Sequence, residues 1–165
     1  GLLKHTVEVA TIARAIGRAS GADGDLVLAG VLLHDIGKLE AYRWDTHFEA
    51  TEAGLLIGHV VLGSLMLDQA VRAQEPMPCT EDELMILQHL ILAHHGRHEY
   101  GAPVLPMTVE AEVLHHADNA SARSAAMAEA LAESENFPDE GRVSVKRIWN
   151  LENRRVFKGS SDWGR

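Results

Sequence analysis

His34 and Asp35 stand side by side in L-L-H-D-I-G-K, residues 32–38, with Lys38 three positions beyond the carboxylate. An imidazole and a carboxylate offer nitrogen and oxygen ligands to a divalent cation, and a lysine beside them offers a point charge to a phosphate. Two adjacent residues of these types recur by chance in many proteins, so the pair gains meaning only with partners. The chain carries ten histidines among 165 residues. Of these, His5 and His94, together with Asp118, fall where a helical chain turns them inward, while His59 lies on a further helix and His95 adjoins His94. Nitrogen and carboxylate ligands without thiolate favour manganese, iron, cobalt, nickel, zinc or magnesium. A bridging carboxylate beside several imidazoles can hold two ions about 3.5–4 Å apart, and Asp35 is the natural bridge.

The elements that must position these groups are helical almost throughout. His5, Val9, Ile12 and Ile16 recur at spacings of four, three and four, one stripe of a first helix. Asp23 can cap a second helix, apolar on nearly every side from Leu26 to Leu33 as in a helix buried at the centre of a bundle. Gly37 stands where a left-handed residue would end that helix, with His34 and Asp35 in its last turn. The segment from Glu40 to Thr51, with Tyr42, Trp44 and Phe48, reads as an ordered loop over the site. A third helix is expected from Gly54 to about Gln74, carrying His59 between Gly58 and Gly63, where small residues permit close approach. Thr80 and Glu83 form a capping box for a fourth helix. Leu84, Leu87, Leu90, Ile91 and His94 form its inner face, and His95 is about 100° round. Thr108 can cap a fifth, on which Ala111, Leu114 and Asp118 share a face. A carboxylate on such a face is costly unless it is paired or ligates a cation.

Singly, each residue has an ordinary reading: His5 a hydrogen-bonded core histidine, Asp118 a buried ion-pair partner, Lys38 a cation at a helix end. His47, His89, His98, His115 and His116 read as surface residues or supports of the ligands. Jointly the inward-facing set calls for a bundle, in which metal sites are built from side chains on facing helices.

Composition bounds the rest. With 46% hydrophobic residues the chain is long enough for one domain with a real core. A net charge of −9, from 15 Lys and Arg against 24 Asp and Glu, argues against a surface built wholly to hold a polyanion. The single cysteine, Cys79, excludes an internal disulfide, and no secretory signal or membrane span is legible, so the cytoplasm is the expected compartment. The domain is expected over residues 1–140, the start at Gly1 already in helical pattern as if cut from a longer polypeptide. Residues 141–165 hold seven Lys and Arg against two Asp and Glu, with Trp149, Phe157 and Trp163 among them. Such a segment can hold a nucleic acid by stacking and charge; packing on its own domain or on a second subunit is the preferred expectation, which leaves self-association open.

The order His5, His34-Asp35, His59, His94 or His95, Asp118 resembles the H…HD…H…H…D pattern of the HD-domain superfamily of metal-dependent phosphohydrolases. G-L-L-K-H-T, A-G-V-L-L-H-D-I-G-K, G-H-V-V-L-G, L-A-H-H-G, E-Y-G-A-P-V-L-P and E-A-E-V-L-H-H-A-D-N together are most similar to the HD domain of the YhaM-type 3′→5′ exoribonucleases. The HD-GYP phosphodiesterases match less well, since H-H-G replaces their H-H-E. The resemblance implies an all-α HD-domain bundle with a divalent-metal site between its helices. It implies that His5, His34, Asp35 and Asp118 hold one ion, manganese being the first expectation, and that Asp35, His59 and His94 or His95 hold a second. Asp35 and Lys38 would be the catalytic pair, Lys38 stabilising charge on the phosphoryl oxygens. The implied activity is phosphodiester hydrolysis, with RNA as substrate in a 3′→5′ exoribonuclease whose N-terminal OB-type nucleic-acid-binding domain would lie outside this chain. Hydrolysis of small nucleotides or other phosphoesters, and a non-catalytic HD interaction domain, stay open as alternatives.

Overall fold

A computed structural model describes residues 1–44, 47–138 and 141–159, with the backbone alone at Trp44. The Trp44 side chain and Trp163 therefore lie outside the described residues. The chain divides into two compact units, Gly1–Asn119 and Ala120–Arg165.

The first unit is a helical bundle. Helix α1 spans Leu2–Ser20 and ends at Gly21; α2 spans Gly24–Leu33, its first amides capped by the Asp23 carboxylate at 2.9 and 3.0 Å. The short α3, Lys38–Ala41, leads into strand β1, Tyr42–Trp44, which pairs antiparallel with β2, Phe48–Ala50. Helices α4, Glu52–Leu56, and α5, His59–Arg72, follow, then α6, Glu81–Ala93, which opens on the capping box of Thr80 and Glu83. A 3₁₀ turn at His98–Tyr100 precedes α7, Val109–Ala132, where the Thr108 hydroxyl accepts from the Ala111 amide at 3.1 Å. No described helix is long and apolar enough to cross a membrane.

The apolar periodicity becomes the core as the spacing requires. Val9 and Ala13 of α1, Val27 and Val31 of α2, Leu90 and Ala93 of α6, and Ala111, Leu114 and Ala117 of α7 are all buried together. Complete burial of a Leu or Val side chain stabilises by about 1.5–3 kcal/mol, so this shared cluster holds the ends of α2 and α6 at one place.

Three local expectations change. The segment 40–51 is not a plain loop: β1 and β2 make a two-stranded hairpin, in which Tyr42 pairs with Ala50 and Trp44 with Phe48. The expected helix from Gly54 to Gln74 is two helices, because Gly58 adopts φ +82°, which a residue with a side chain rarely takes, and the chain turns there before restarting at His59. Gly37 is not a left-handed terminator either. Its φ is −62° and it begins α3. It is glycine because a Cβ there would collide with the His59 carbonyl oxygen and stand 2.5 Å from the Gly63 nitrogen.

In the second unit, Ala130 of α7 is buried with Leu151 and Val156 and packed by Met127, Leu131, Phe137 and Ile148. Two isolated bridges, Val143 to Phe157 and Ile148 to Arg154, fold the basic segment back on itself. The Ser144 hydroxyl, accepting from the Val156 amide at 3.0 Å and donating to the Lys146 carbonyl at 2.8 Å, closes it. Trp149 stays 83% exposed and Phe157 58%, the latter under the Arg142 guanidinium.

Candidate metal centre

The seven singled-out histidine and aspartate side chains meet at one place in the first unit. His5 comes from α1, His34 and Asp35 from the turn after α2, His59 from the first residue of α5, His94 and His95 from the end of α6, and Asp118 from α7. His34, Asp35 and His94 are buried, at 0, 3 and 1% exposure.

Asp35 divides the site. Its Oδ2 lies 3.4 Å from His34 Nε2 and 3.7 Å from His5 Nε2, while its Oδ1 lies 3.4 Å from His59 Nε2 and 3.9 Å from His94 Nε2. Asp118 joins the first side, its Oδ1 being 2.9 Å from His5 Nε2 and 3.9 Å from His34 Nε2. His5, His34 and Asp35 form one group whose ligand atoms lie within 4.8 Å of one another, and His59, His94 and His95 form another. Sequence spacing left His94 or His95 open and favoured His94; the fold brings both rings to the same group, because the helix ends at Ala93 and His95 is no longer turned by helical phase.

Two rings are oriented by the helices they terminate. His34 Nδ1 lies 2.7 Å from the Val31 carbonyl and His94 Nδ1 lies 2.7 Å from that of Ile91. A carbonyl only accepts, so each Nδ1 carries the proton and each Nε2 is turned to the centre. His115, expected at the surface or behind the ligands, is buried behind them and donates from Nδ1 to the His94 carbonyl at 3.0 Å. That supporting role had no signal in the sequence beyond its place in H-H-A-D, four residues before Asn119.

The electrostatics are those of groups crowded out of water. Burial would raise the Asp35 carboxyl, but the neighbouring His34 and Lys38 outweigh it and hold it well below the usual carboxylate range. Burial likewise opposes ionisation of Asp118, and His5, His34 and His94 overcome it to lower that carboxyl. Burial lowers His59 to about 4 against the attraction of Asp35, helped by the charges of Lys38, His95 and His34. His94 is lowered to about 3 by burial with His95 and His34, and burial lowers His95 too. His34 differs: burial pulls it down, yet Asp35, Asp118 and the Val31 carbonyl together leave it raised.

Among the described residues, the buried side-chain nitrogen and oxygen atoms without a hydrogen-bond partner are His34 Nε2, Asp35 Oδ1, His59 Nε2, His94 Nε2 and His95 Nδ1. An unsatisfied buried polar group costs about 1–3 kcal/mol, and here all five belong to the same cluster. Lone pairs of imidazole and carboxylate converging without donors are what a divalent cation satisfies, so the residues present fit a metal site. Lys38 reaches in from the rim, its Nζ 2.6 Å from Asp35 Oδ2.

Comparison with known proteins agrees with this geometry. The HD domain matches residues 2–123. The chain is similar to the 3′-5′ exoribonuclease YhaM of Bacillus subtilis, 39% identical over 159 residues, covering 96% of this chain and 48% of that protein. The proteins of the same name from Bacillus velezensis and Bacillus licheniformis are 38% and 37% identical over the same coverage. The chain thus spans about half the length of the curated relatives it matches. No solved structure matches it.

Proposed function

The chain belongs to the HD-domain family, and from that premise we propose that it is a metal-dependent phosphohydrolase, the catalytic portion of a 3′→5′ exoribonuclease. The observation that carries the reading is the division of Asp35, one oxygen toward His5 and His34 and the other toward His59 and His94. A carboxylate so placed is suited to bridge two cations, with His5, His34 and Asp118 completing one side and His59, His94 and His95 the other. Divalent ions, manganese first among them, would there supply Lewis acidity toward a phosphoryl oxygen and lower the pKa of water toward neutrality.

The protein's own groups do the rest. His59, His94 and His95 are kept neutral at physiological pH by burial, so their lone pairs stay available. Asp35 and Asp118 stay ionised, so their oxygens accept and do not donate. Lys38, 35% exposed at its side chain and fixed beside Asp35, is placed to receive charge on the phosphoryl oxygens. The exoribonuclease reading is supported by the similarity to the YhaM proteins, and the activity at a 3′ end is taken from their name.

The test is an assay of the purified chain with Mn²⁺ on a 3′-labelled oligoribonucleotide and, in parallel, on a panel of small nucleotides. Release of labelled mononucleotide that disappears in Asp35→Ala, together with loss of the metal-induced rise in melting temperature, is the expected result. Cleavage of the small nucleotides alone would replace the exoribonuclease reading with the small-substrate one. Metal binding with no cleavage of either would point to an interaction domain.

A further inference from the structure

A cleft of about 600 Å³ opens beside the metal centre, with His5, Asp35 and Lys38 in its lining. That volume lies within the roughly 300–1,000 Å³ of small-ligand sites. Its walls are apolar, made by Leu2, Leu39, Tyr42 and Phe48. The last two are the notable pair. They face each other across the hairpin, ring centroids 4.7 Å apart and planes 20° from parallel, and Phe48 is 62% exposed. Burial of the larger part of Phe48 is thus left undone in the lining of a cleft, although an aromatic side chain is among the residues most stabilised by it.

Resting on the phosphohydrolase reading above, we propose that the stacked rings of Tyr42 and Phe48 are the nucleobase platform of this site, taking by stacking the base of the nucleotide whose phosphate lies at the metal centre. The occupant follows from the two chemistries of the lining. A cation beside a cluster of metal-ligand types takes a phosphate; stacked rings and two leucines take a flat apolar body. A nucleotide joins those two chemistries in one molecule. The same walls define what is not read. Among the described residues, no amide and no hydroxyl other than that of Tyr42 lines the cleft, and Arg43, which does, has its guanidinium committed to Glu49 at 2.9 and 3.3 Å. Stacking uses the π-face that every base has, so the site accepts all four bases and discriminates against a nucleotide that has none.

The experiment compares the chain and Phe48→Ala on two Mn²⁺-supported substrates, an oligoribonucleotide with an ordinary 3′ nucleotide and one ending in an abasic ribose phosphate. Adenosine 5′-monophosphate binding is measured separately by calorimetry. Loss of one stacking partner should raise KM for the ordinary substrate, and the dissociation constant of the monophosphate, by about 5- to 100-fold. The abasic substrate should already be poor for the unaltered chain and little worsened by Phe48→Ala, which a merely structural role of the ring would not produce. Phe48→Trp should restore both quantities. Equal KM and equal monophosphate affinity in Phe48→Ala would overturn the platform. If the unaltered chain cleaves no RNA, the exoribonuclease reading fails by itself, and the monophosphate measurement still decides the platform: weakened binding in Phe48→Ala upholds it, and unchanged or absent binding overturns it.

Discussion

The Nζ of Lys38 stands 2.6 Å from Asp35 Oδ2, on the oxygen that faces His5 and His34 and away from the one that faces His59 and His94. The lysine is therefore tied to one side of the site and lies at its rim, where a phosphoryl oxygen would arrive. Lys38→Ala should lower kcat by about 10²-fold, the scale for removing one charge-stabilising donor, while titration with Mn²⁺ shows the same stoichiometry. Turnover at the unaltered rate would remove Lys38 from the chemistry.

Gly37 packs directly against the backbone of α5, where a Cβ would find no room. A methyl group at Gly37 meets the His59 carbonyl and the Gly63 nitrogen, both main-chain atoms that no side-chain rotation can move aside. Gly37→Ala should cost at least ~3 kcal/mol, the upper end for overpacking, and it should displace His59 with α5. Urea denaturation measures the first effect and Mn²⁺ stoichiometry the second. An alanine variant as stable as the parent would show that α3 and α5 can separate freely.

The buried imidazoles make the metal-free protein sensitive to acid. His59 and His94 have folded values of about 4 and about 3, below the ordinary 6.5. Between pH 6.5 and about 4 the unfolded chain binds protons there that the folded chain does not, so unfolding is favoured as pH falls. The raised His34 acts oppositely, contributing stability below pH 6.5, but it is one group against three, since burial lowers His95 as well. The lowered Asp35 and Asp118 contribute stability that is lost only below their ordinary 3.8. Melting curves of EDTA-treated protein should show Tm falling from pH 7 to pH 4.5. A flat or rising Tm across that range would contradict the burial of these rings.

What could be read from the sequence was whatever repeats locally. The stripe of His5, Val9, Ile12 and Ile16, the capping box at Thr80 and Glu83, and the Asp23 cap follow from residue spacing, and each stands in the structure as expected. The gathering of His5, His94 and Asp118 with the helix-ending pair His34 and Asp35 was legible because inward phase on three helices and the end of a fourth leave one place to meet; His59 carried no such phase. The role of Gly37 was not, since its cause is a contact with residues 22 and more positions away. The turn at Gly58 was equally hidden: a glycine inside an apolar run reads alike whether it lets helices approach or lets the chain turn. The choice between His94 and His95 stayed open because the helical phase that favoured His94 ends two residues before His95.

The bonds from His34 to the Val31 carbonyl and from His94 to that of Ile91 have a consequence beyond orientation. Each carbonyl belongs to the last turn of a helix, where the backbone has no amide of its own to bind. The two rings therefore serve as the stoppers of α2 and α6 as well as facing the centre. An alanine in place of either strips a helix end in the middle of the core at the same stroke as it removes a ligand-type nitrogen. At these two positions the capacity to fold and the capacity to react are vested in a single side chain, and selection on one is selection on both.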